Sequence, residues 1–204
     1  GNTGQAVSVN LASQGADVML YTRSEEKAKN GANTKFEATG LVEGTYTVPT
    51  TANLDEAVKD AKYIFIMTRA NAHKEVAESL KGKLTNGQIV LIFNGNWGAM
   101  QFKRVLGSEI KEKSLVIAET AAQLYTAQSP EFGKIFCRMK NQVNIAAVDS
   151  SQNEAIIEGL KPYYKTQFTN GHNIVRTSLS NTNPIIHAPI TIFNEVRVEN
   201  AEPF

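Results

Sequence analysis

Short apolar runs recur along the first part of the chain and are separated by segments with a helical pattern. These runs predict strands at residues 16–21, 63–67, 88–93 and 115–118, with a more mixed strand at 41–48. The segments between them predict helices at residues 5–14, 25–30, 54–61, 73–80 and 97–106. Continuous apolar strands are typical of parallel strands that are covered on both faces. Their alternation with helices predicts an α/β fold with a doubly wound parallel sheet.

The pattern changes after residue 132. Residues 134–139 and 143–148 predict two strands paired with each other around a turn at 140–142, and residues 154–160 predict a short helix. A loop at 171–173 then leads into the short apolar pair at residues 174–175. The segment that follows is polar and rich in turn-forming residues, which favours a domain boundary close to residue 180.

A glycine-containing turn stands directly before the first predicted helix. Gly1-Asn2-Thr3-Gly4 matches the second half of a Gly-x-Gly-x-x-Gly turn, in which small residues let backbone N–H groups reach a pyrophosphate. This predicts a Rossmann-type dinucleotide-binding domain over residues 1–180, with a plain N-terminal turn as the alternative. Ligands of such sheets lie at the carboxyl ends of the strands. The predicted cofactor-binding residues are Gly1, Asn2, Thr3, Gly4, Thr22, Arg23, Thr68, Arg69 and Ala70.

The end of the second strand of such a domain bears on the choice of cofactor. A cofactor without a 2′-phosphate is usually held there by an acidic residue, but here Arg23 stands between two hydroxyl residues and no acid occurs before Glu25. An arginine with hydroxyls suits a 2′-phosphate by charge and hydrogen bonding. This favours NADP over NAD; the alternative is that Arg23 only stacks on the adenine of either cofactor.

A distinctive stretch near the end of the chain reads Asn183-Pro184-Ile185-Ile186-His187, followed by Ala188-Pro189. An Asn before a Pro is typical of a helix start, with Asn183 as the predicted cap, and a helical turn places Asn183 and His187 on one face. Pro189 predicts an interruption of that helix. Imidazole exchanges protons near neutral pH, so His187 is a candidate acid/base. A cap and a packed or solvated ring are the alternative roles.

Composition and charge exclude several classes of protein. The 204 residues include 42% hydrophobic and 20% charged residues with a net charge of +1, as in ordinary soluble globular proteins. Without a block of basic residues, nucleic-acid binding is not predicted, and the apolar runs are too short to span a membrane. The single Cys137 excludes an internal disulfide and fits a cytoplasmic location. No metal site is predicted. The chain begins without Met or a first strand, so we expect a fragment truncated at both ends.

Four motifs together resemble the octopine/nopaline (opine) dehydrogenase family. They are Gly1-Asn2-Thr3-Gly4, Ala70-Asn71-Ala72-His73, Ala118-Glu119-Thr120 with Tyr125, and Asn183-Pro184-Ile185-Ile186-His187-Ala188-Pro189. The last is the most specific, because this family opens its helical domain with an Asn-Pro-x-x-His turn. The resemblance therefore implies that residues 181–204 begin a helical catalytic domain. Two departures are Arg69, where the family usually has Pro, and the loop at 94–98, which is less rich in Gly and Pro.

The resemblance also implies an activity. Opine dehydrogenases condense an amino acid with a 2-oxo acid such as pyruvate and reduce the imine with NAD(P)H. On this basis His187 is the general acid/base and Asn183 orients the substrate or the imidazole. His73 is a secondary cleft residue or a helix cap, His172 is a surface residue, and Glu119 caps a neighbouring helix or touches the nicotinamide. The expected partners are these small-molecule substrates and a second copy in a homodimer.

Two other functions remain open. One is a different two-domain reductase, resembling ketopantoate reductase or glycerol-3-phosphate dehydrogenase; these depend on a catalytic lysine in the second domain, and no lysine follows Lys165. The other is a non-catalytic nucleotide-binding module, which the fold alone does not exclude. An imidazole at the domain junction argues against the second alternative.

Overall fold

The computed structural model of the chain describes residues 1–200, apart from the side chain of Pro184. No helix in this part of the chain is long and apolar enough to cross a membrane. The helices are α1 Asn2–Ser13, α2 Glu25–Ala28, α3 Leu54–Val58, α4 His73–Leu80, α5 Gly98–Leu106, α6 Glu109–Glu112, α7 Asn153–Leu160, α8 Ile174–Leu179, α9 Asn183–Phe193 and α10 Glu195–Glu199. The strands are β1 Leu20–Tyr21, β2 Lys35–Gly40, β3 Gly44–Thr47, β4 Thr50–Thr51, β5 Tyr63–Ile66, β6 Ile89–Ile92, β7 Val116–Thr120, β8 Tyr125–Gln128, β9 Lys134–Met139, β10 Val143–Ala147 and β11 Phe168–Asn170.

A five-stranded sheet in the order β11-β10-β7-β6-β5 forms the centre of the fold. Strands β5, β6 and β7 are parallel, and β10 joins β7 antiparallel and β11 parallel. Strands β1 and β4 form a separate parallel pair. The predicted parallel pairing of residues 63–67 with residues 88–93 is confirmed: Tyr63 lies opposite Ile89 and Ile66 opposite Ile92.

Apolar side chains on both faces explain why these strands are parallel. Val90, Leu91 and Ile92 of β6 are fully buried. Even and odd positions belong to two separate cores: Val90 packs in the cluster with Phe102 of α5, and Leu91 in the cluster with Tyr164. Burying one such side chain contributes roughly 1.5–3 kcal/mol. The predicted α/β architecture with a doubly wound parallel sheet is therefore confirmed.

The predicted pairing of residues 134–139 with 143–148 is wrong. Strand β9 pairs parallel with β2 and antiparallel with β8, in a four-stranded sheet of order β3-β2-β9-β8. Strand β10 lies in the five-stranded sheet instead. The short polar segment between β9 and β10 connects two sheets and is not a hairpin turn. Strand β2 was missed, although its alternating burial is the period-two pattern of a half-buried strand.

Helix α1 is fixed to the four-stranded sheet by buried polar contacts. Asn10 Nδ2 donates to Tyr125 Oη at 2.8 Å, and Tyr125 Oη donates to Tyr164 Oη at 2.8 Å. Near the start of the helix, Gln5 Oε1 accepts from the Gly133 amide at 2.9 Å. The position of the N-terminus of α1 is therefore set by the strands β8 and β9 and their connection.

Helix α9 differs from its prediction in two respects. Pro189 does not interrupt it, because the helix continues to Phe193. The proline deprives only the carbonyl of Ile185 of its partner, and Ile185 is 69% exposed, so water can take its place. Asn183 is the first helical residue, and the cap position is Thr182.

Candidate functional site

The carboxyl ends of the parallel strands β5, β6 and β7 lie along one side of the five-stranded sheet. Arg23 follows β1 and Glu75 lies in the first turn of α4, which follows β5; Arg23 Nη1 and Glu75 Oε1 are 2.7 Å apart. This ion pair joins the two-stranded and the five-stranded sheets at their carboxyl ends. Ligands of doubly wound sheets bind at the carboxyl ends of the strands, so the predicted site belongs at this side.

The N-terminus of α1 has the properties of an anion site. Gly1 occupies the cap position, and no acidic residue occurs in the first turn. Gly4 packs on β1: a Cβ there would lie 3.6 Å from Leu20 Cδ1. Lys27 lies near enough to Gly1 for its charge to act there, so a cation lies close to this end of the helix. Free amides, a helix dipole and a lysine together suit a pyrophosphate.

Arg23 is placed as predicted at the end of β1, but it is not free. Its side chain is 76% exposed and forms an ion pair with Glu75. The sequence pattern did not indicate Glu75 as a partner. Thr22 is half-buried, and its Oγ1 accepts from the Ser24 amide at 3.3 Å. A 2′-phosphate at Arg23 would therefore compete with the Glu75 carboxylate.

The end of β5 supplies the second group of predicted residues. Thr68 and Arg69 are exposed, and Ala70 begins a short 3₁₀ turn that leads directly into α4. His73 follows this turn, is fully buried and does not cap α4, because the cap position is Ala72. Both expected roles of His73, cleft residue and helix cap, are therefore wrong.

The environment of His73 keeps its ring neutral. Neither ring nitrogen has a hydrogen-bond partner of acceptable geometry in the described part of the chain. Burial lowers the pKa of His73, and the nearby backbone of Thr68 and Gly95 opposes the shift. The imidazole lies under the loop after β6, since a Cβ on Gly98 would be 2.5 Å from His73 Nδ1.

The loop after β6 has an unusual backbone. Asn94, Asn96 and Trp97 all have positive φ angles, of 54°, 46° and 68°. Asn tolerates this conformation, but a bulky residue such as Trp seldom adopts it, and such strain is concentrated at functional sites. The Trp97 side chain is 43% exposed at the carboxyl side of the sheet. The backbone strain of this loop was not predictable from the sequence.

Glu119 supports this loop from below. It is fully buried at the end of β7; its Oε2 accepts from the Ala99 amide at 2.8 Å, and its Oε1 accepts from Ser178 Oγ. Ala99 lies in the first turn of α5, so the predicted helix-capping role of Glu119 is confirmed. Burial raises the pKa of Glu119, and the hydrogen bonds from Ser178 and from the amides of Ala99 and Trp97 oppose the shift.

The start of α9 is attached to the same loop. The Asn183 amide donates to Asn181 Oδ1 at 3.0 Å, and Asn181 Nδ2 donates to Asn94 Oδ1 at 2.9 Å and to Asn96 Oδ1. The side chain of Asn181, and not that of the predicted Asn183, thus satisfies the amide of the first residue of α9, while the cap position Thr182 makes no side-chain hydrogen bond to the helix.

His187 lies one helical turn beyond Asn183 and is exposed. The structure therefore brings Asn183 to the carboxyl side of the sheet and places His187 on the same helix. Within residues 1–200 no hydrogen bond joins the His187 ring to a predicted cofactor-binding residue. The catalytic roles of His187 and Asn183 stay predictions.

Comparison with known proteins adds a family to this geometry. Residues 1–150 match the family model described as ketopantoate reductase PanE/ApbA. The chain belongs to the ketopantoate reductase PanE/ApbA family. The match covers β1 to β10 and ends before α9, so membership in the PanE/ApbA family rests on the sheet region and not on Asn183 or His187.

Individual relatives are similar to the chain over a greater length. It is 27% identical over 210 residues to an opine dehydrogenase from Arthrobacter sp. (strain 1C), covering 100% of the chain and 58% of the relative. A structure of octopine dehydrogenase with NADH and L-arginine matches with a TM-score of 0.74 at 14% identity, over 91% of this chain and 50% of that one. NADP⁺-bound yersinopine dehydrogenase matches with a TM-score of 0.69 at 13% identity, over 94% and 50%.

These matches confirm the resemblance to the opine dehydrogenases, and the structural ones confirm the fold. The chain spans little more than half the length of these relatives. The PanE/ApbA family name coincides with one of the alternatives left open by the sequence. The predicted division near residue 180 is tested by none of the matches and stays a prediction.

Proposed function

We propose that the full-length protein is an NAD(P)H-dependent oxidoreductase that joins an amino acid to a 2-oxo acid by reductive condensation. One observation carries the proposal: the helix that holds Asn183 and His187 starts at the carboxyl side of the sheet, hydrogen-bonded through Asn181 to the loop after β6. The N-terminus of α1 lies at the same side. The residues proposed for proton transfer and the residues proposed for cofactor binding therefore share one edge of the fold.

The residues at this edge suit a dinucleotide. The first amides of α1 and the small residues Gly1 and Gly4 would hold the pyrophosphate, with Lys27 adding charge. Arg23 would bind a 2′-phosphate after it is released from Glu75, which supports NADP ahead of NAD. Thr68, Arg69 and Ala70 lie at the end of β5, where a dinucleotide crosses such a sheet.

The reaction needs one hydride and one proton at the same carbon–nitrogen bond. The amine and the 2-oxo acid would lose water to form an imine, and NAD(P)H, when bound, would supply the hydride that adds to the imine carbon. During the loss of water, His187 would take a proton from the amine nitrogen and pass it to the departing hydroxyl oxygen, which leaves as water. During the reduction, it would give the proton that the nitrogen acquires. Asn183, on the same face of α9, would hold the substrate or the imidazole in place. Proton transfer of this kind is worth roughly 10²–10⁴-fold in rate.

The ligands of similar solved structures support an amino acid and a 2-oxo acid as the two substrates. The octopine dehydrogenase structures contain NADH with L-arginine or with pyruvate, which are an amino acid and a 2-oxo acid. We therefore propose the same two classes of substrate here. The homodimer and the cytoplasmic location stay predictions.

The PanE/ApbA family match supports a second candidate, the reduction of a 2-oxo acid to a 2-hydroxy acid without an amine. The two candidates differ in their need for a second substrate. Oxidation of NADPH by the full-length protein is measured with pyruvate and other 2-oxo acids, each alone and with a panel of amino acids.

We expect oxidation only when both substrates are present, with a secondary amine as the product by mass spectrometry. Oxidation at an equal rate without the amino acid, with a hydroxy acid as product, would replace the proposal by the second candidate.

A further inference from the structure

The side chain of Asn181 connects two parts of the proposed active site. It is 6% exposed and lies between α8 and α9. Its Oδ1 accepts from the Asn183 amide, and its Nδ2 donates to the side-chain carbonyls of Asn94 and Asn96. A side-chain amide has two N–H donors and one carbonyl, and all of them are used here. Because the carbonyl must face the Asn183 amide, the NH₂ group necessarily faces the loop.

The loop that receives these hydrogen bonds is held in a conformation that its sequence does not prefer. Asn94, Asn96 and Trp97 have positive φ angles, and each such residue costs free energy that its surroundings must offset. Ser178 provides a second attachment, since its Oγ accepts from the Trp97 amide at 3.2 Å. The loop is therefore bonded both to the last turn of α8 and to the segment that starts α9.

Close packing beneath the loop leaves little room for movement. A Cβ on Gly95 would lie 2.4 Å from Glu119 Cβ, and one on Gly98 would lie 2.5 Å from His73 Nδ1. Both supporting side chains are fully buried. The loop is thus closely packed on Glu119 and His73, and the hydrogen bonds of Asn181 connect it to the first residue of α9.

We propose that Asn181 is a positioning residue, which couples the strained loop at the end of β6 to the first turn of α9 and so sets where Asn183 and His187 stand over the cofactor. This inference rests on the proposed function for its catalytic consequence, although the coupling itself does not. The contact joins three side-chain amides, with Asn181 as the donor to Asn94 and Asn96. An acid could not take the place of Asn181, because a carboxylate has no N–H to donate and would repel the two carbonyls.

Two variants break the contact in different ways. Asn96→Gly removes one acceptor and keeps a residue that adopts positive φ without strain. Asn181→Asp keeps the acceptor for the Asn183 amide and loses both donors. Ser114→Gly is the matched control, because Ser114 also has a positive φ angle, of 48°, and is exposed in the turn after α6.

The first measurement is amide hydrogen exchange of the full-length protein, which does not depend on the reaction. We expect exchange in residues 182–187 to become roughly 3- to 10-fold faster in Asn96→Gly and faster still in Asn181→Asp, as for the loss of one or more hydrogen bonds. Exchange in α4 stays as in the wild type, and Ser114→Gly changes neither region. Unchanged exchange at 182–187 in both variants would overturn the inference, whatever the activity.

The second measurement separates positioning from a merely structural role. We expect kcat to fall roughly 3- to 10-fold in Asn96→Gly and roughly 10- to 100-fold in Asn181→Asp, with the Kd for NADPH close to that of the wild type in both. The Tm should fall by only a few degrees in Asn96→Gly and further in Asn181→Asp, because a buried carboxylate then faces two carbonyls, so kcat is compared well below the Tm of both variants. Faster exchange with unchanged kcat would overturn the positioning role. If His187→Ala keeps its activity, the proposed function fails instead, and the exchange experiment alone then decides whether Asn181 couples the loop to α9.

Discussion

At the scale of single residues, we propose that the choice of cofactor depends on Arg23 and Glu75. Their charged atoms are 2.7 Å apart, but the side chains are 76% and 67% exposed, and exposed pairs of this kind are worth about 0.2–1 kcal/mol. A 2′-phosphate carries more charge than a carboxylate and accepts several hydrogen bonds, so it can displace Glu75 from Arg23. We therefore expect Glu75 to lower the affinity for NADPH without excluding it.

Replacing either residue should change the affinity for one cofactor only. In the full-length protein, we expect Arg23→Ala to weaken NADPH binding by about 1.5–3 kcal/mol, the usual worth of hydrogen bonds to a charged group. Glu75→Gln should tighten NADPH binding about two- to five-fold, because the competing charge is removed. Titration calorimetry with NADPH and NADH measures both effects, and NADH binding should hardly change. Equal losses for both cofactors in Arg23→Ala would show that the arginine only stacks or packs.

At the scale of secondary-structure elements, the hydrogen bonds of Asn10, Tyr125 and Tyr164 tie α1 to the rest of the fold. Burial raises the pKa of Tyr125 strongly and that of Tyr164 to about 12. Both hydroxyls are therefore neutral at physiological pH and act as structural donors and acceptors. The candidate phosphate site at the N-terminus of α1 depends on them only through the placement of the helix.

Removing one hydroxyl should destabilise the fold. Tyr164→Phe leaves the buried Tyr125 hydroxyl without its acceptor, and we expect a loss of about 1–3 kcal/mol in the free energy of unfolding from urea denaturation. Tyr21→Phe, at a 38% exposed position, is the control and should change little.

The dependence of folding stability on alkaline pH is a second test of the same contact between Tyr125 and Tyr164. The pKa of Tyr164 is higher in the folded than in the unfolded chain, so the unfolded chain loses its proton first and stability falls between about pH 10 and 12. This decrease should be smaller in Tyr164→Phe. Equal decreases in both proteins would mean that Tyr164 is not buried as described.

Element by element, the strongly periodic segments were predictable and the pairing of distant strands was not. The helix at residues 73–80 and the parallel strands β5 to β7 follow from local patterns of apolar residues. Strand β9 pairs with β8 and with β2, which is far away in the chain, and no local signal distinguishes this arrangement from a hairpin with β10. The side chain that bonds the first amide of α9 was missed for a similar reason, because Asn181 and Asn183 both lie beside the helix start and only three-dimensional contacts choose between them.

At the scale of the whole molecule, the candidate site follows one edge, from the N-terminus of α1 through the Arg23–Glu75 pair to the loop after β6 and the start of α9. The general place of this edge was predictable, because parallel strands direct their carboxyl ends to one side. The burial of His73 and the strain of Trp97 were not, since both depend on how the loops pack on each other.

Dinucleotide binding at this edge can be tested without catalysis. Asn2 is exposed in the first turn of α1, and Asn2→Asp adds a charge without changing the shape of the side chain. An acid there favours the helix dipole, so the Tm should be kept, but it repels a pyrophosphate by about 1 kcal/mol. We expect the Kd for NADPH to rise roughly five-fold by fluorescence titration. Asn86→Asp, in an exposed turn, is the control; equal Kd values for both variants would place the pyrophosphate elsewhere.

The most direct test of the whole account is the replacement of His187 by Ala in the full-length protein, with His172→Ala, also exposed, as the control. If His187 is the acid/base of an NAD(P)H-dependent condensation, kcat should fall by roughly 10²-fold or more while the Kd for NADPH stays within about two-fold. The control should keep its kcat. A kcat for His187→Ala close to that of the wild type would contradict the catalytic role of α9 and, with it, the proposed function.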